Sequence, residues 1–415
     1  MISWPSPFIP AVPGQGLPVY VHDTATAALV HLERGPVTGM YVCGITPYDA
    51  THIGHAATYV TFDVLLRALR DAGHEVRYVQ NVTDIDDPLL ARAARDHVDW
   101  THLAAEETAL YREDMTALGV IAPDRYLGVT ESIDLIVAAV DRLVATGAAY
   151  RLPAADAPGS DVYLDVQGQA GLGDVSGATR AQMLALSAER GGDPERLGKR
   201  DALDPLLWRA ARTGEPSWDG GLLGDGRPGW HIECTSIALE YLGMPFSVQG
   251  GGADLVFPHH EMTAVQGCAL TGARRFAEAY VHQALVGLDG AKMSKSAGNL
   301  VLVSDLRRQG VDPIAIRLAL LAHHYRQEWD WTEAELSSAG ERLATWRSAF
   351  SVNAGPDADK TVRTVREALS HDLDTPAALA AVDAWARRCL QDGGESVSAP
   401  GLLARAVDAL LGVRL

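Results

Sequence analysis

Residues 38–82 decide the fold, and they read TGMYVCGITPYDATHIGHAATYVTFDVLLRALRDAGHEVRYVQNV. Residues 38–43 have the apolar character of a buried strand, and a turn follows them. Apolar residues then recur with helical spacing from about Ile53 to Ala72, and a glycine ends this helix. Residues 75–82 alternate as a second strand does. A strand, a helix and a strand of these lengths form a βαβ unit, which implies a parallel sheet.

The rest of the chain adds further strands and helices to this unit. The pattern predicts helices at 89–119, 131–149, 231–242 and 259–271, strands at 162–164, 245–249 and 280–288, and an all-helical tail from about Val303 with breaks at Asn353–Asp359 and Gly393–Pro400. We therefore expect an α/β protein whose Rossmann-like, nucleotide-binding catalytic domain has a parallel sheet. The expected divisions are an N-terminal arm at 1–36, the catalytic domain at 37–300 with an insertion at about 150–225, and a helical C-terminal region at 301–415.

The composition is that of a globular cytoplasmic protein. Of 415 residues, 47% are hydrophobic and 21% charged, and no run of eighteen apolar residues predicts a membrane span. The N-terminus lacks the basic and apolar regions of a signal peptide. The formal net charge of −18 gives no global attraction to a polyanion, so we expect neither a nucleic-acid partner nor a membrane.

The segment Thr51–His55 (THIGH) follows the first strand and opens the helix after it. Imidazoles at such a place can hydrogen-bond phosphate oxygens, and a helix N-terminus presents free N–H groups and a partial positive charge. Gly54 leaves room for a flat base against the backbone. His52 and His55 are therefore candidate catalytic residues, although H-x-x-H spacing alone fits capping or packing histidines better.

A second candidate segment is Lys292–Ser296 (KMSKS), in a glycine-containing loop after a late strand. The chain has only four lysines, and two of them lie in these five residues. Two ammonium groups suit the charge that a pyrophosphate leaving group develops in a transition state. Lys292 and Lys295 are therefore candidate catalytic residues, and a solvated surface loop is the equal alternative.

Together, and in this order, the two segments resemble the two signatures of class I aminoacyl-tRNA synthetases. Within that class the chain resembles the cysteinyl-tRNA synthetase family from about Val37 to Asn299, and more weakly through the tail. The closer resemblance is carried by YVCG at 41–44, DVL at 63–65, NVTDIDD at 81–87, WHIEC at 230–234 and FPHHE at 257–261. This resemblance implies that the enzyme activates cysteine as a cysteinyl adenylate and uses ATP, bound with magnesium, as its other substrate.

The resemblance also implies a metal site. The family places a zinc ion on the positions of Cys43, Cys234 and His259, and two thiolates with an imidazole are ligands that zinc prefers. Their long separations would not identify a site, and buried structural cysteines would otherwise be favoured. The family's fourth ligand is a glutamate where this chain has Thr263, so the fourth ligand stays open. We expect one zinc ion per chain, which would select the thiol of cysteine over the hydroxyl of serine.

The residues expected around the substrates follow from the same resemblance. ATP should lie at the carboxyl ends of the strands, against the helix start that carries His52 and His55. Its adenine and ribose are expected to contact Trp230, Gly252, Ala253, Asp254 and Val286, with Asp254 accepting from a ribose hydroxyl. Cysteine, bound against the metal at Cys43, is expected to contact Gly44, Ile45, Thr46, Thr58, Asn81, Val82 and Thr83.

Some remaining polar residues have plainer interpretations. Cys268 and Cys389 fall inside predicted helices, and we interpret both as core residues. The acidic run Asp84–Asp87 is compatible with a magnesium site, but we favour a strand-end loop whose backbone faces the substrate together with Thr83.

Several features indicate an acceptor other than tRNA. Besides Thr263, the chain has Pro88 where that family usually has a lysine, and its helical tail is short. The segment Glu189–Pro194 (ERGGDP) and the proline-rich residues 4–19 resemble a related ligase family, which joins cysteine to the amine of glucosaminyl-inositol (GlcN-Ins) in mycothiol biosynthesis. We therefore expect cysteine, ATP and GlcN-Ins as substrates, and Cys-GlcN-Ins, AMP and diphosphate as products.

Two alternatives stay open at this point. One is a cysteinyl-tRNA synthetase, which would make the same adenylate. The other is a catalytically silent, zinc-binding paralog that acts as a binding module, against which the complete histidine and lysine pairs argue.

Overall fold

The computed structural model of the chain describes residues 1–32, 35, 37–48, 50–293 and 299–415, and only the backbone of residues 291–292. Its strands in chain order are β1 Tyr20–Asp23, β2 Ala28–His31, β3 Val37–Val42, β4 Glu75–Val82, β5 Arg125–Gly128, β6 Ala149–Pro153, β7 Ser160–Leu164, β8 Leu206–Ala210, β9 Gly226–Pro228, β10 Phe246–Gly252, β11 Ala277–Gln283, β12 Val286–Leu288, β13 Ala291–Lys292 and β14 Trp329–Asp330. Its α-helices are α1 Ile53–Asp71, α2 Asp87–Asp96, α3 Trp100–Ala117, α4 Ile133–Ala145, α5 Arg180–Glu189, α6 Trp230–Leu242, α7 Glu261–Thr271, α8 Val303–Arg308, α9 Pro313–Leu321, α10 Glu333–Phe350, α11 Asp359–Ser370, α12 Thr375–Asp392 and α13 Ala399–Leu411.

A five-stranded parallel sheet of order β11-β10-β3-β4-β5 lies at the centre of the fold. The predicted βαβ unit is confirmed, because β3 pairs in parallel with β4 and α1 is the crossover between them. Helix α1 is buried along most of its length, packed between the sheet and the C-terminal helices. The Rossmann-like α/β fold class expected from the sequence is therefore confirmed.

The structure corrects several element boundaries. The helix predicted at 89–119 is two helices, because His97 adopts a left-handed conformation with φ 56° and Asp99 caps the start of α3. The strand predicted at 280–288 is divided between two sheets: β11 belongs to the central sheet, whereas β12 pairs with β13 and β14. The tail, predicted to be all helical, consists of helices α8–α13 and also contains the two-residue strand β14. Both predicted breaks in the tail separate helices.

Between β6 and β9 the chain forms an antiparallel sheet of order β6-β7-β8-β9, with α5 between β7 and β8. The sequence pattern predicted only the strand at 162–164 in this region. The other strands are short, and Gly, Asp and Pro around them weaken the alternation on which strand prediction depends. This sheet is continuous in sequence with α4 and α6 and packs against both.

The N-terminal residues are held against the catalytic core. Trp4 is buried, donates its indole N–H to the Val120 carbonyl at 2.8 Å, and packs edge-on against Tyr111 and Tyr126. The β1–β2 hairpin follows. One contiguous apolar core includes the arm, α1 and the helices α9–α13, and the domain divisions given above stay a prediction. In the described residues, no helix is long and apolar enough to cross a membrane.

Candidate active site

A cavity of about 760 Å³ opens at the carboxyl ends of the central strands. Cys43 directly follows β3, Thr83 follows β4, and Ala284 follows β11, and all three line it. Because the strands are parallel, these ends meet at one edge of the sheet. The volume lies in the upper part of the roughly 300–1,000 Å³ range of ligand sites.

Three buried residues form a candidate metal cluster in this cavity. One ligand atom each of Cys43, Cys234 and His259 lies within 4.8 Å of the other two, and the two sulfurs are 4.0 Å apart. Two thiolates bound at about 2.3 Å to a tetrahedral ion would be about 3.8 Å apart. The donor set and its spacing therefore fit a metal ion.

Burial makes this cluster costly without a cation. Burial raises the pKa of the Cys234 thiol, and the neighbouring Cys43 raises it further. Burial likewise lowers the pKa of His259, with His231 adding to the effect, which keeps the imidazole neutral. Neutral imidazole is the form that binds metals, and a cation would stabilise the negative charge of the thiolates that burial disfavours.

Further histidines surround the cluster. His231 Nδ1 lies 3.0 Å from His259 Nδ1, and Trp230 stacks on the His259 ring with centroids 4.5 Å apart. On the other side, His260 Nε2 lies 3.2 Å from Cys43 Sγ. His260 Nδ1 in turn contacts His282 Nε2 at 2.7 Å. Cys43 and His259 are thus each oriented by a neighbouring side chain.

Thr263 does not belong to this cluster. Its hydroxyl donates to the His260 carbonyl and accepts from Gln249 Nε2 at 3.1 Å. Among the described residues, the cluster therefore has three candidate protein ligands.

The start of α1 forms another wall of the cavity. His52 is the N-cap of α1, and its Nδ1 accepts from the Gly54 N–H at 3.0 Å. The rings of His52 and His55 stack with centroids 3.8 Å apart. Ile53 donates to the Val301 carbonyl, which fixes the segment after the predicted lysine loop against this helix start.

The lysine segment itself lies largely outside the described residues. Lys295 is among residues 294–298, and only the backbone of Lys292 is described, in β13. Met293 and Leu300, which flank residues 294–298 on either side, both line the cavity.

The residues expected around cysteine lie next to the cluster. Gly44 N–H donates to Asn81 Oδ1 at 2.9 Å, and a Cβ at position 44 would lie 1.7 Å from the Asn81 carbonyl oxygen, so only glycine fits. The Asn81 amide donates to Thr83 Oγ1 at 3.1 Å, and Thr83 donates to the buried Glu233. This network fixes the polar side chains that face the cavity.

The acidic run after β4 has structural partners. Asp84 accepts from the N–H and hydroxyl of Thr130. Asp86 caps α2, and burial raises its pKa to about 6. Asp87 pairs with Arg227. These contacts agree with a strand-end loop.

Most of the predicted site residues meet in this one cavity: Cys43, Gly44, Ile45, Thr46, His52, His55, Thr58, Asn81, Thr83, Trp230, Cys234, Gly252, Asp254, His259 and Val286. Val82 and Ala253 do not line it. Val82 is the last residue of β4, and its side chain is fully buried in the core. Ala253 begins a short 3₁₀ turn and carries only a methyl group.

Sequence reasoning missed other parts of the lining. Tyr48 and Tyr59 belong to it, and so does one side of α2, with Pro88, Ala91, Arg92 and Arg95. The spacing of the α2 residues is that of one helix face. That spacing was visible in the sequence, but no feature of the neighbouring residues indicated that this face of α2 would line the cavity.

Comparison with known proteins agrees with this architecture. The family described as "tRNA synthetases class I (C) catalytic domain" matches residues 29–341. The structure resembles that of Mycobacterium tuberculosis methionyl-tRNA synthetase in complex with methionyl-adenylate, with a TM-score of 0.60, 14% identity, and coverage of 91% of this chain and 90% of that one. At this identity the likeness shows the fold alone.

Curated relatives are much more similar. A protein of Streptomyces coelicolor named "L-cysteine:1D-myo-inositol 2-amino-2-deoxy-alpha-D-glucopyranoside ligase" is 60% identical over 415 residues, covering 100% of both chains. A protein of Kineococcus radiotolerans with the same name is 57% identical over 419 residues, again covering both chains completely. The chain therefore belongs to the family of class I (C) tRNA synthetase catalytic domains and, within it, to the group of these cysteine ligases.

Proposed function

We propose that the protein is an ATP-dependent ligase that forms a cysteinyl adenylate and transfers the cysteinyl group to the amine of GlcN-Ins. One observation carries the proposal: the thiol–imidazole cluster and the helix start with His52 and His55 open into the same cavity. The cavity can therefore hold a thiol substrate and a nucleotide side by side. The names of the relatives support cysteine and the amino sugar as the joined substrates.

Zinc is the proposed metal, held by Cys43, Cys234 and His259. Two sulfur ligands and one nitrogen ligand favour zinc over magnesium or calcium, which prefer oxygen ligands. Three protein ligands leave one position open, where zinc would bind the thiolate of cysteine and discriminate against serine.

For adenylate formation we propose positioning and charge stabilisation without a covalent enzyme intermediate. The carboxylate of cysteine attacks the α-phosphorus of magnesium-bound ATP, the bond to the β-phosphate oxygen breaks, and diphosphate leaves. His52, His55 and the N–H groups at the start of α1 are proposed to contact the phosphates. Asp254 is proposed to accept from the ribose, and Asn81, Thr83 and Gly44 to orient cysteine. Lys292 and Lys295 are proposed to stabilise the leaving diphosphate.

In the second step the neutral amine of GlcN-Ins attacks the carbonyl carbon of the adenylate. An amide bond forms, the bond to the phosphate oxygen of AMP breaks, and the amine loses a proton. The acceptor needs no polyanion-binding surface, which agrees with the net charge of −18.

The proposal is tested by following AMP formation with cysteine, ATP and either GlcN-Ins or cysteine tRNA. We expect GlcN-Ins to stimulate AMP release and to yield a stable amide, with little dependence on moderate salt because no polyanion is bound. Cysteine-dependent pyrophosphate exchange monitors the first step alone. Efficient tRNA charging that falls steeply with salt would favour a synthetase, and absence of exchange would favour a silent binding module.

A further inference from the structure

We propose that one face of α2, together with Tyr48, is the subsite that recognises the amino-sugar acceptor. This face, the α2 face, consists of Pro88, Ala91, Arg92 and Arg95. The inference rests on the proposed function, because it assigns a place to the second substrate of that reaction.

The fold directs this face into the cavity. The four residues are spaced at i, i+3, i+4 and i+7, so they form one stripe along α2. The opposite side, with Leu89 and Ala93, is buried against Leu103 and Ala104 of α3. Burial of that side fixes the rotation of α2, and the α2 face lines the cavity.

The α2 face is a wall without an assigned substrate. The thiol–imidazole cluster forms one wall of the cavity, and the start of α1 with Asp254 and Val286 forms the proposed nucleotide wall. The cysteinyl adenylate would join these two walls. The α2 face and Tyr48 border the same space, so a second substrate bound there would reach the adenylate.

The two arginines are held in place by one carboxylate. Arg92 Nε and Arg95 Nε both bind Asp96, the latter at 2.9 Å, and Arg92 Nη1 also donates to the Tyr48 carbonyl at 3.3 Å. This pairing orients the two guanidinium groups. The Arg92 side chain is 25% exposed and the Arg95 side chain 68% exposed, so both can still contact a ligand. Their planar N–H donors are thus preorganised at the edge of the cavity.

The chemistry of this wall suits a hydroxyl-rich amine better than a polyanion. Guanidinium N–H groups donate to ring hydroxyl oxygens, and Pro88, Ala91 and Tyr48 offer apolar contact to the faces of a sugar or cyclitol ring. Arg92 and Arg95 share the single carboxylate of Asp96, so one net positive charge remains beside the acceptor and favours its neutral amine, the form that attacks. Two arginines are far fewer than the six to ten phosphate contacts typical of strong nucleic-acid binding.

The test compares Arg95→Gln with the parent enzyme in both half-reactions. We expect the KM for GlcN-Ins to rise at least tenfold, with kcat changed by less than about threefold. Cysteine-dependent pyrophosphate exchange, including its KM for diphosphate, should stay within about twofold, because the acceptor takes no part in it. Arg308→Gln is the matched control, since Arg308 is 70% exposed and also paired with a carboxylate on its own helix; both assays should be unchanged in it.

A second variant, Ala91→Phe, adds bulk to the same wall at an exposed position without removing a hydrogen bond. It should also raise the KM for GlcN-Ins while exchange persists, and a thermal melt shows whether each variant is folded. An unchanged acceptor KM in both folded variants, or a raised KM for diphosphate in Arg95→Gln, overturns the subsite. If the parent enzyme itself performs exchange but does not use GlcN-Ins, the proposed function fails instead.

Discussion

At the scale of single residues, the site depends on a few atoms whose chemistry is unusual for a protein interior. Two thiols lie 4.0 Å apart, and two further histidines contact members of their cluster. Burial raises the pKa of Cys234 and lowers that of His259, so without a metal this thiol and this imidazole stay uncharged. Single substitutions in the cluster test whether these side chains bind a metal.

Cys234→Ala, Cys43→Ala and His259→Ala should each lower the zinc content well below one ion per chain. Each removes one of three ligands, and cysteine-dependent exchange should fall together with the metal. Metal content is measured by atomic emission on purified protein. Cys268→Ala is the control, because Cys268 lies on α7 outside the cluster and is only partly buried. Full zinc and full exchange in any of the three variants would exclude that residue as a ligand.

Lys295→Ala should slow adenylate formation by about two to three orders of magnitude while leaving cysteine binding nearly intact. The reason is that the lysine is proposed to meet charge that develops only in the transition state. Exchange kinetics with varied cysteine measure both quantities. Lys360→Ala, in α11, is a control for loss of one lysine. A normal turnover with a raised KM for cysteine would contradict the assigned role.

At the scale of elements, the segment from the end of β10 to the start of α7 carries Asp254 and His259, and residues 149–228 contact it at two points. Arg190, at the end of α5, donates to the carbonyls of Asp254 and Phe257. The carboxylate of Glu261 accepts from the N–H groups of Gly173 and Ser176 at 2.8 and 2.7 Å. The antiparallel sheet and its loops thus brace the segment that carries one candidate ligand of the cluster and the proposed ribose acceptor.

Arg190→Ala should raise the KM for ATP about fivefold to tenfold and make zinc easier to remove by a chelator. Losing both hydrogen bonds would let the Asp254–His259 segment move. Arg190→Lys should recover part of the effect, because an ammonium can still donate to a carbonyl. Arg200→Ala, also within 149–228 but paired with Asp165, is the control. The bracing role is refuted if Arg190→Ala matches the control in both measurements.

At the scale of the whole molecule, a buried ionic centre joins the catalytic sheet to the C-terminal helices. Asp63 of α1 binds Arg67 at 2.7 Å and also binds Arg317 of α9, and all three side chains are fully buried. Arg67 donates to the carbonyls of Asp408 and Ala409 near the end of α13, and Arg317 donates to that of Leu411. The C-terminal helices are therefore an integral part of the core that supports α1 and its histidines.

Asp63→Asn should lower the free energy of unfolding by about 3–5 kcal/mol, because it leaves buried arginines without their carboxylate. Urea unfolding measures this difference, and Asp305→Asn, whose side chain is 45% exposed, is the control. An effect below about 1 kcal/mol would show that the centre contributes little to stability.

The same centre predicts the pH dependence of that difference. Burial raises the pKa of Asp63, but Arg67 and Arg317 outweigh burial and leave it below its usual value. A carboxylate whose folded pKa is depressed stabilises the protein above its unfolded pKa of about 3.9, and this contribution is lost as the pH falls through the folded value. The stability gap between parent and Asp63→Asn should therefore be full at pH 7 and shrink below about pH 4. A gap that is independent of pH would contradict this assignment.

The sequence by itself determined the βαβ unit and the types of residue that carry the chemistry. Helical spacing over Ile53–Ala72 and the apolar strand before it depend on neighbouring residues only, so they are readable without a fold. The THIGH segment at the helix start was predictable for the same reason. The candidate metal ligands were predicted only through the family resemblance, because Cys43 and Cys234 are 191 positions apart.

Only the tertiary structure decided which distant residues meet and which way each face points. The strand predicted at 280–288 divides between two sheets because β12 pairs with the distant β14. The α2 face enters the cavity because its other side is buried against α3, and Arg317 reaches Asp63 from 254 positions away. Such contacts are set by how buried surfaces pack and how buried charges are paired, and these depend on the whole chain, whereas periodicity depends on a few neighbouring residues.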